Sequence, residues 1–273
     1  MAPRLKDIAE KLGVSTSTVS LVLNNKPGVS EKTRQKVLKL AKELGYSTNL
    51  LSKPALKNQK NIRFIIYKKH GMVVSDTPFF SELIEGIDQK ARDEGFNLII
   101  SYINEQEENQ MEILRILKDN PPSGILLLAT EMQREDLIPF KSLGLPLVVL
   151  DSNFSSEKID TIIINNTEAA YEATQYLITN GHQDIGYLRS SFWINNFDER
   201  KVGFLRALSE NGLKFNKKFV FHLEPTLDGA YRDMQNTLAL QPPPLLPTAF
   251  FADNDIIAIG ALRALKDNGY RIP

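Results

Sequence analysis

The sequence predicts a chain of two dissimilar parts: a small all-α unit built on a helix-turn-helix, followed by an α/β core of two doubly wound parallel-sheet halves. Three observations predict it. Residues 5–25, LKDIAEKLGVSTSTVSLVLNN, read as two short helices broken at Gly13. From residue 62, short apolar runs alternate with amphipathic helices, the pattern of a parallel sheet covered on both faces. Charge is divided between the parts. The whole chain balances 33 Lys and Arg against 33 Asp and Glu, yet residues 1–60 hold 12 basic and 4 acidic side chains, a net of +8, which leaves −8 for the rest.

In the first part, Ile8, Ala9 and Leu12 lie on one helical face, Gly13 gives the turn a permissive backbone, and Val14 plugs the gap between helices. Ser15 is a natural N-cap for the second helix, where Val19, Val22 and Leu23 continue the buried face. Thr16, Ser17, Ser20 and Leu21 are left pointing outward, on a helix sized for a major groove. A third helix is capped by Ser30, striped by Thr33, Val37, Leu40, Ala41 and Leu44, and stopped at Gly45. A helical hairpin used for protein contact is the alternative; the excess of Lys and Arg here, with Lys6, Lys26, Lys32, Arg34 and Lys36 as phosphate partners, points instead to a polyanion.

Residues 47–61 form a polar linker interrupted by Pro54, after a first domain of residues 1–46. Its middle, NLLSKPALK, is too short to be a stable helix alone and would order only on docking. In residues 62–273, strands are expected at 62–67, 97–102, 124–129, 146–151, 161–165, 185–189, 219–223 and 248–253. Helices are expected at 79–95, 107–119, 133–143, 168–180, 198–212, 228–240 and 255–269. The strands after Pro146 are joined by SNFSSEKID without a helix, so the chain is expected to change halves near residue 155, giving halves of 62–155 and 156–273. Ligands of such sheets sit at the carboxyl ends of the strands.

Several chemistries are excluded. There is no cysteine, hence no disulfide, thiolate metal site or cysteine nucleophile. No G-x-G-x-x-G follows the first core strand, no phosphate-loop pattern ending in G-K-S or G-K-T occurs, and His70, His182 and His222 lack ligand spacing. No enzyme, cofactor or metal is expected. No signal-peptide core and no window near 20 apolar residues is found, so no membrane partner and a cytoplasmic location are expected.

The chain resembles the lactose/galactose repressor family of bacterial transcription factors. The matching segments are LKDIAEKLGVSTSTVSLVLNN, VSEKTRQKVLKLAKELGYSTN, TPFFSELIEGI, the strand ending in Asp151, NGHQDIGYL, ERKVGFLRAL and TAFFADNDIIAIGALRALKDNGYRIP. The first is highly specific; the later ones are shared with periplasmic sugar-binding proteins, which lack the DNA module. The resemblance implies a periplasmic-binding-protein-like core, a homodimer on double-stranded operator DNA with two half-sites, a small effector in the cleft, a sugar ahead of a purine, and repression by occupancy. By position it implies that Thr16, Ser17 and Leu21 face base edges, with Ser15 and Ser20 beside them, and that Lys6, Asn24, Ser30, Thr33, Arg34 and Tyr46 hold the backbone.

Leu21 departs from the Arg or His common in the family, and would meet a thymine methyl or exclude water. Arg4 replaces the usual threonine cap of the first helix. The hinge reads Lys53, Pro54, Ala55, Leu56, Lys57, one residue longer than the family pattern; Leu56, or else Ala55, is the candidate minor-groove wedge, with an ordinary linker as the alternative. In the cleft, the resemblance points to the loop that leads to Phe79 and Phe80, to Arg200, and to the pair Asn254 and Asp255; strand-end position adds Asp151 for hydroxyls, and Trp193, the single tryptophan, with Asn196 stands in the loop and helix start after a strand. Each has a plainer alternative: core packing for the phenylalanines, a surface ion pair with Asp198 or Glu199 for Arg200, an N-cap for Asp255. The family continues beyond the motif that ends here at Arg271, Ile272, Pro273. The second half is therefore expected to be incomplete, with weakened effector binding and an intact DNA module.

Overall fold

The computed structural model describes residues 5–23, 29–43, 60–74, 78–107, 109–242 and 244–273, and in the first unit the side chains of Lys6 and Ser17 are not described. Asn24, Tyr46, Lys53, Ala55, Leu56 and Lys57 lie outside these residues, as does the hinge expectation. Contacts divide the chain into two compact units, residues 1–59 and 60–273.

The first unit has helices α1 (Leu5–Leu12), α2 (Thr16–Leu23) and α3 (Glu31–Glu43). Gly13, at φ 64°, ends α1. Its N–H reaches the Glu10 carbonyl at 3.4 Å while the Val14 N–H reaches Ala9 at 3.1 Å, the two bonds of a Schellman turn. Ser15 caps α2 by accepting the Thr18 N–H at 3.0 Å, and Ser30 caps α3 through the Thr33 N–H at 3.3 Å. Ile8, Ala9, Val19, Val22, Val37 and Ala41 are buried together, with Leu12, Val14 and Leu40 against them.

The second unit holds two sheets. In the first, β1 (Lys60–Lys68), β2 (Phe96–Asn104), β3 (Gly124–Leu128), β4 (Leu147–Leu150) and β5 (Asp160–Ile162) run parallel in the order β2-β1-β3-β4-β5. Alternation along β1 assigns its two faces: Phe64 and Ile66 pack under α4 (Pro78–Asp93), while Ile65 and Tyr67 pack with Leu117 of α5 (Gln110–Asp119) and Phe140 of α6 (Arg134–Lys141). The second sheet, β7-β6-β8, contains β6 (Ile185–Ser190), β7 (Val220–Leu223) and β8 (Ala249–Ala252), again parallel. Helices α7 (Asn166–Thr179) and α8 (Asn195–Glu210) cover one face; α9 (Leu227–Leu238) and α10 (Asp255–Asp267) cover the other. A Cβ on Gly203 would stand 2.0 Å from the Thr167 carbonyl oxygen, so only glycine lets α8 lie this close to α7.

Two boundaries need correction. Val148, Val149 and Leu150 pair with Asp160, Thr161 and Ile162, so the chain stays in the first sheet through residue 162 instead of changing near 155. The helix-less link remains in that half because Phe154 is buried in the α5/α6 face. Lys60 and Asn61, placed in the linker by sequence, already pair with Phe96 and Asn97. The helix expected from residue 107 starts at Gln110, after a short 3-10 turn at Glu105–Glu107.

Candidate functional site

Parallel strands deliver their carboxyl ends to one edge of each sheet, and those edges supply a cavity of about 220 Å³. It is lined by Phe79, Phe80, Asp151, Asn196, Arg200, Asn254 and Asp255 among others, so seven sequence candidates from four separate stretches converge. Trp193 is not among them. It lines a neighbouring cavity of about 230 Å³ with Arg189, Asp198 and His222, and its indole Nε1 donates to Asp198 at 2.7 Å.

Phe79 is exposed at the start of α4, edge-on to Phe80 at 5.2 Å, while Phe80 sinks into the sheet core and shows the cavity only part of its ring. Asp151 closes β4 at φ 59°, a left-handed backbone unusual for a residue with a side chain. Its carboxylate accepts from the Thr130 hydroxyl at 2.7 Å and from the Asn196 amide at 2.9 Å. The second bond joins the two halves. Burial pushes the Asp151 carboxyl up, and those two bonds together with the Arg200 charge oppose the rise.

Arg200 does not pair with Asp198 or Glu199. Its Nε donates to Asn166 Oδ1 at 2.9 Å, and another guanidinium nitrogen donates to the Asp253 carbonyl. Asp198 is taken by Arg189 and Trp193, and Glu199 by Asn166 and Asn195. Burial lowers the Arg200 pKa, countered by Asp253 and Asp151. Asn254 is the N-cap of α10, accepting the Ile257 N–H at 2.9 Å; Asp255, expected as a cap, is instead the first helical residue and accepts the Ile256 N–H at 3.0 Å, and both face the cavity.

Sequence reasoning missed Asp253, Thr130, Asn166 and Glu131. Asp253 is fully buried; it accepts from the Tyr187 hydroxyl and from the Ser190 N–H at 2.7 Å, and burial pushes its carboxyl up to about 6. The same burial, with Asp253 beside it, pushes the Tyr187 hydroxyl up. The available signal was position: Thr130 and Glu131 follow β3 as Asp151 follows β4. His182, read as structural, bonds Thr248 at 3.0 Å.

On the first unit, Thr16 is exposed and Ser20 and Leu21 are half-buried, opposite the Val19 and Val22 face. The Ser15, Ser30 and Thr33 hydroxyls are engaged in the two caps. Among the described residues, no helix is long and apolar enough to cross a membrane, and no three His, Cys, Asp or Glu stand where they could hold a metal ion.

Residues 4–49 match the model of bacterial regulatory proteins of the lacI family, and residues 64–273 match that of periplasmic binding proteins and the sugar binding domain of the LacI family. The chain belongs to the LacI family. It is therefore a DNA-binding transcriptional regulator with a ligand-binding core, in a family of regulators. A similar relative is the HTH-type transcriptional repressor PurR of Mannheimia succiniciproducens, 32% identical over 272 residues, spanning 98% of this chain and 78% of that protein. Among solved structures, the transcriptional regulator CelR in complex with cellobiose is 26% identical with a TM-score of 0.67, covering 99% of this chain and 80% of that one. The Lac repressor bound to ONPG in its repressed state shares the fold, at TM-score 0.69 and 24% identity over 100% of this chain and 80% of that one. LacI-family regulators bind operator DNA and small effectors as dimers, which fits both the basic helix-turn-helix and the two-sided cleft of this chain.

Proposed function

We propose that this LacI-family member is a cytoplasmic repressor that holds its operator as a homodimer and whose grip is set by a small sugar in the cleft. The observation that carries the sugar is the composition of the cavity. Two carboxylates, two amides and a guanidinium stand around one exposed phenyl face, and each polar group can engage a pair of neighbouring hydroxyls while Phe79 covers a ring. The cavity, at about 220 Å³, lies below the roughly 300–1,000 Å³ of drug-sized pockets, which favours a single ring system. Asp151, Asn196 and Arg200 take the hydroxyls, with Asn254 and Asp255 at the far rim. Trp193 contributes only to a ligand long enough to reach the neighbouring cavity.

Toward DNA, Thr16, Ser17, Ser20 and Leu21 read base edges; Lys6, Asn24, Arg34 and Tyr46 hold phosphates; Lys53, Ala55, Leu56 and Lys57 enter the minor groove. The net +8 of residues 1–60 supports that assignment. The effector acts through unequal affinity for the open and closed cleft, because a ligand shifts an equilibrium only by its differential affinity.

The purine-repressor names of the curated relatives favour a second reading, a free purine stacked on Phe79. Calorimetric titration of the chain with monosaccharides and with purine bases separates the two. Heat with a sugar alone supports the first reading, and heat with a purine alone replaces it. Selection of bound sequences from a palindromic library, across a salt series, tests the DNA side; enrichment of a symmetric motif with a steep salt slope is expected.

A further inference from the structure

Glu131 is used by none of the roles above, yet its carboxylate is the most heavily bonded acidic group among the described residues. It follows β3 and is 1% exposed. Oε2 accepts the backbone N–H groups of Lys69 at 2.9 Å, His70 at 3.0 Å and Gly71 at 2.7 Å. Oε1 accepts those of Val73 at 3.0 Å and Val74 at 3.3 Å, and lies 3.4 Å from His70 Nδ1. Residues 69–74 leave β1 and enter no helix or strand, and five of their N–H groups converge on this one carboxylate. Gly71, at φ 72°, turns the chain around the carboxylate.

A buried carboxylate is tolerated only where donors replace its hydration, and a loop with unpaired amides is tolerated only where an acceptor meets them. Here each requirement meets the other. The loop and the charge are one unit, and removing either strands the other.

The outer side of that loop faces the second half. Val73 is buried in a cluster with Ile194 and Phe197, and the His70 ring lies 4.9 Å from the Phe192 ring. Phe192 and Ile194 belong to the loop after β6; the buried Asp253 carboxylate accepts the N–H of Ser190, the last residue of that strand, and the Ser190 hydroxyl in turn accepts the Phe192 N–H at 3.0 Å. Each half thus presents a loop fixed by an internal carboxylate, and the two loops meet beside the Asp151–Asn196 bond.

We propose that Glu131 is the positioning residue for cleft closure: it moulds residues 69–74 into the surface on which residues 192–197 dock. Only the regulatory consequence, a shifted response to effector, rests on the function proposed above. The docking itself requires no ligand.

Hydrogen exchange on the full chain without ligand tests it, comparing wild type with Glu131→Gln. The glutamine is isosteric but turns an NH2 group toward N–H donors. Amides of residues 69–74 are expected to exchange on the order of a hundredfold faster, and those of 192–197 to accelerate with them, while β3 and α7 keep their protection. Faster exchange at 69–74 with no change at 192–197 would overturn the proposal, as would no change at either. Val73→Ala guards against global unfolding of the first variant. It is expected to free 192–197 while the Glu131-bonded amides stay protected, and unaltered protection at 192–197 would count against the docking role. Repeating the exchange with ribose or a free purine base, and seeing neither bind, would remove the effector reading and leave the positioning result standing.

Discussion

The outward face of α2 and the cleft of the core prepare for recognition in opposite ways. On α2, Thr16 is exposed and Leu21 half-buried, and the helix is fixed from behind by Val19 and Val22 and at its start by the Ser15 cap. In the cleft, Asp151, Asn196 and Asp253 are buried, and with Arg200 each already holds a partner within the protein. A duplex is a large polyanion that meets side chains in water, so a residue such as Thr16 faces solvent and its loss leaves the fold alone. A small ligand is bound where water is excluded, so each polar group there must be satisfied in advance. Variants on α2 should therefore separate binding from folding, and variants in the cleft should not.

The largest effect is expected for Arg200→Ala. It strands Asn166 Oδ1 and the Asp253 carbonyl in the interior. A stability loss of about 2–4 kcal/mol in urea unfolding should accompany loss of any effector response. A lost response at unchanged stability would break the comparison.

Asp253→Asn comes next and turns on pH. The folded carboxyl titrates at about 6, above its ordinary 3.8, so the folded state keeps a proton that the unfolded chain releases. That contribution is fully present in acid and is lost as pH rises through about 6, leaving above it a penalty on the order of 3 kcal/mol. Asparagine carries no such penalty. Whatever constant offset its amide brings, the stability of the variant relative to wild type should improve between pH 4 and pH 7, and parallel melting curves across that range would remove the assignment.

Thr16→Ala should weaken operator binding by about 1–3 kcal/mol, most strongly at one base position of each half-site, with the melting temperature unmoved. A general loss across sequences would place Thr16 on phosphate instead. The smallest effect is expected for Ser15→Ala, about 1 kcal/mol of stability in the three-helix unit from the lost cap, with a matching fall in operator affinity and no effect on the core.

The two regions also differ in how far the sequence discloses them. Gly13, Ser15 and Ser30 act within five residues of their partners, so the turn and both caps are legible in the local sequence. The strands of the core are legible because parallel strands covered on both faces are continuous apolar runs. The run TIIIN at 161–165 marks a strand, but its pairing with β4 is not legible, because a local run does not say which sheet it joins and the decisive contact is the burial of Phe154. In the cleft, Asp151, Arg200 and the Asn254–Asp255 pair follow from family likeness and strand-end position, whereas Trp193, assigned from residue type, stands in the neighbouring cavity.

The sequence by itself determined the order of elements, the family, the charge division and the outward face of α2, because each rests on local periodicity or on residues close together in the chain. Only the tertiary structure decided which polar groups are spent inside the protein. Glu131 meets its loop across 57 to 62 positions, and Asp253 meets Tyr187 across 66. Burial of a charge depends on what distant segments bring to it, and no short stretch of residues encodes that.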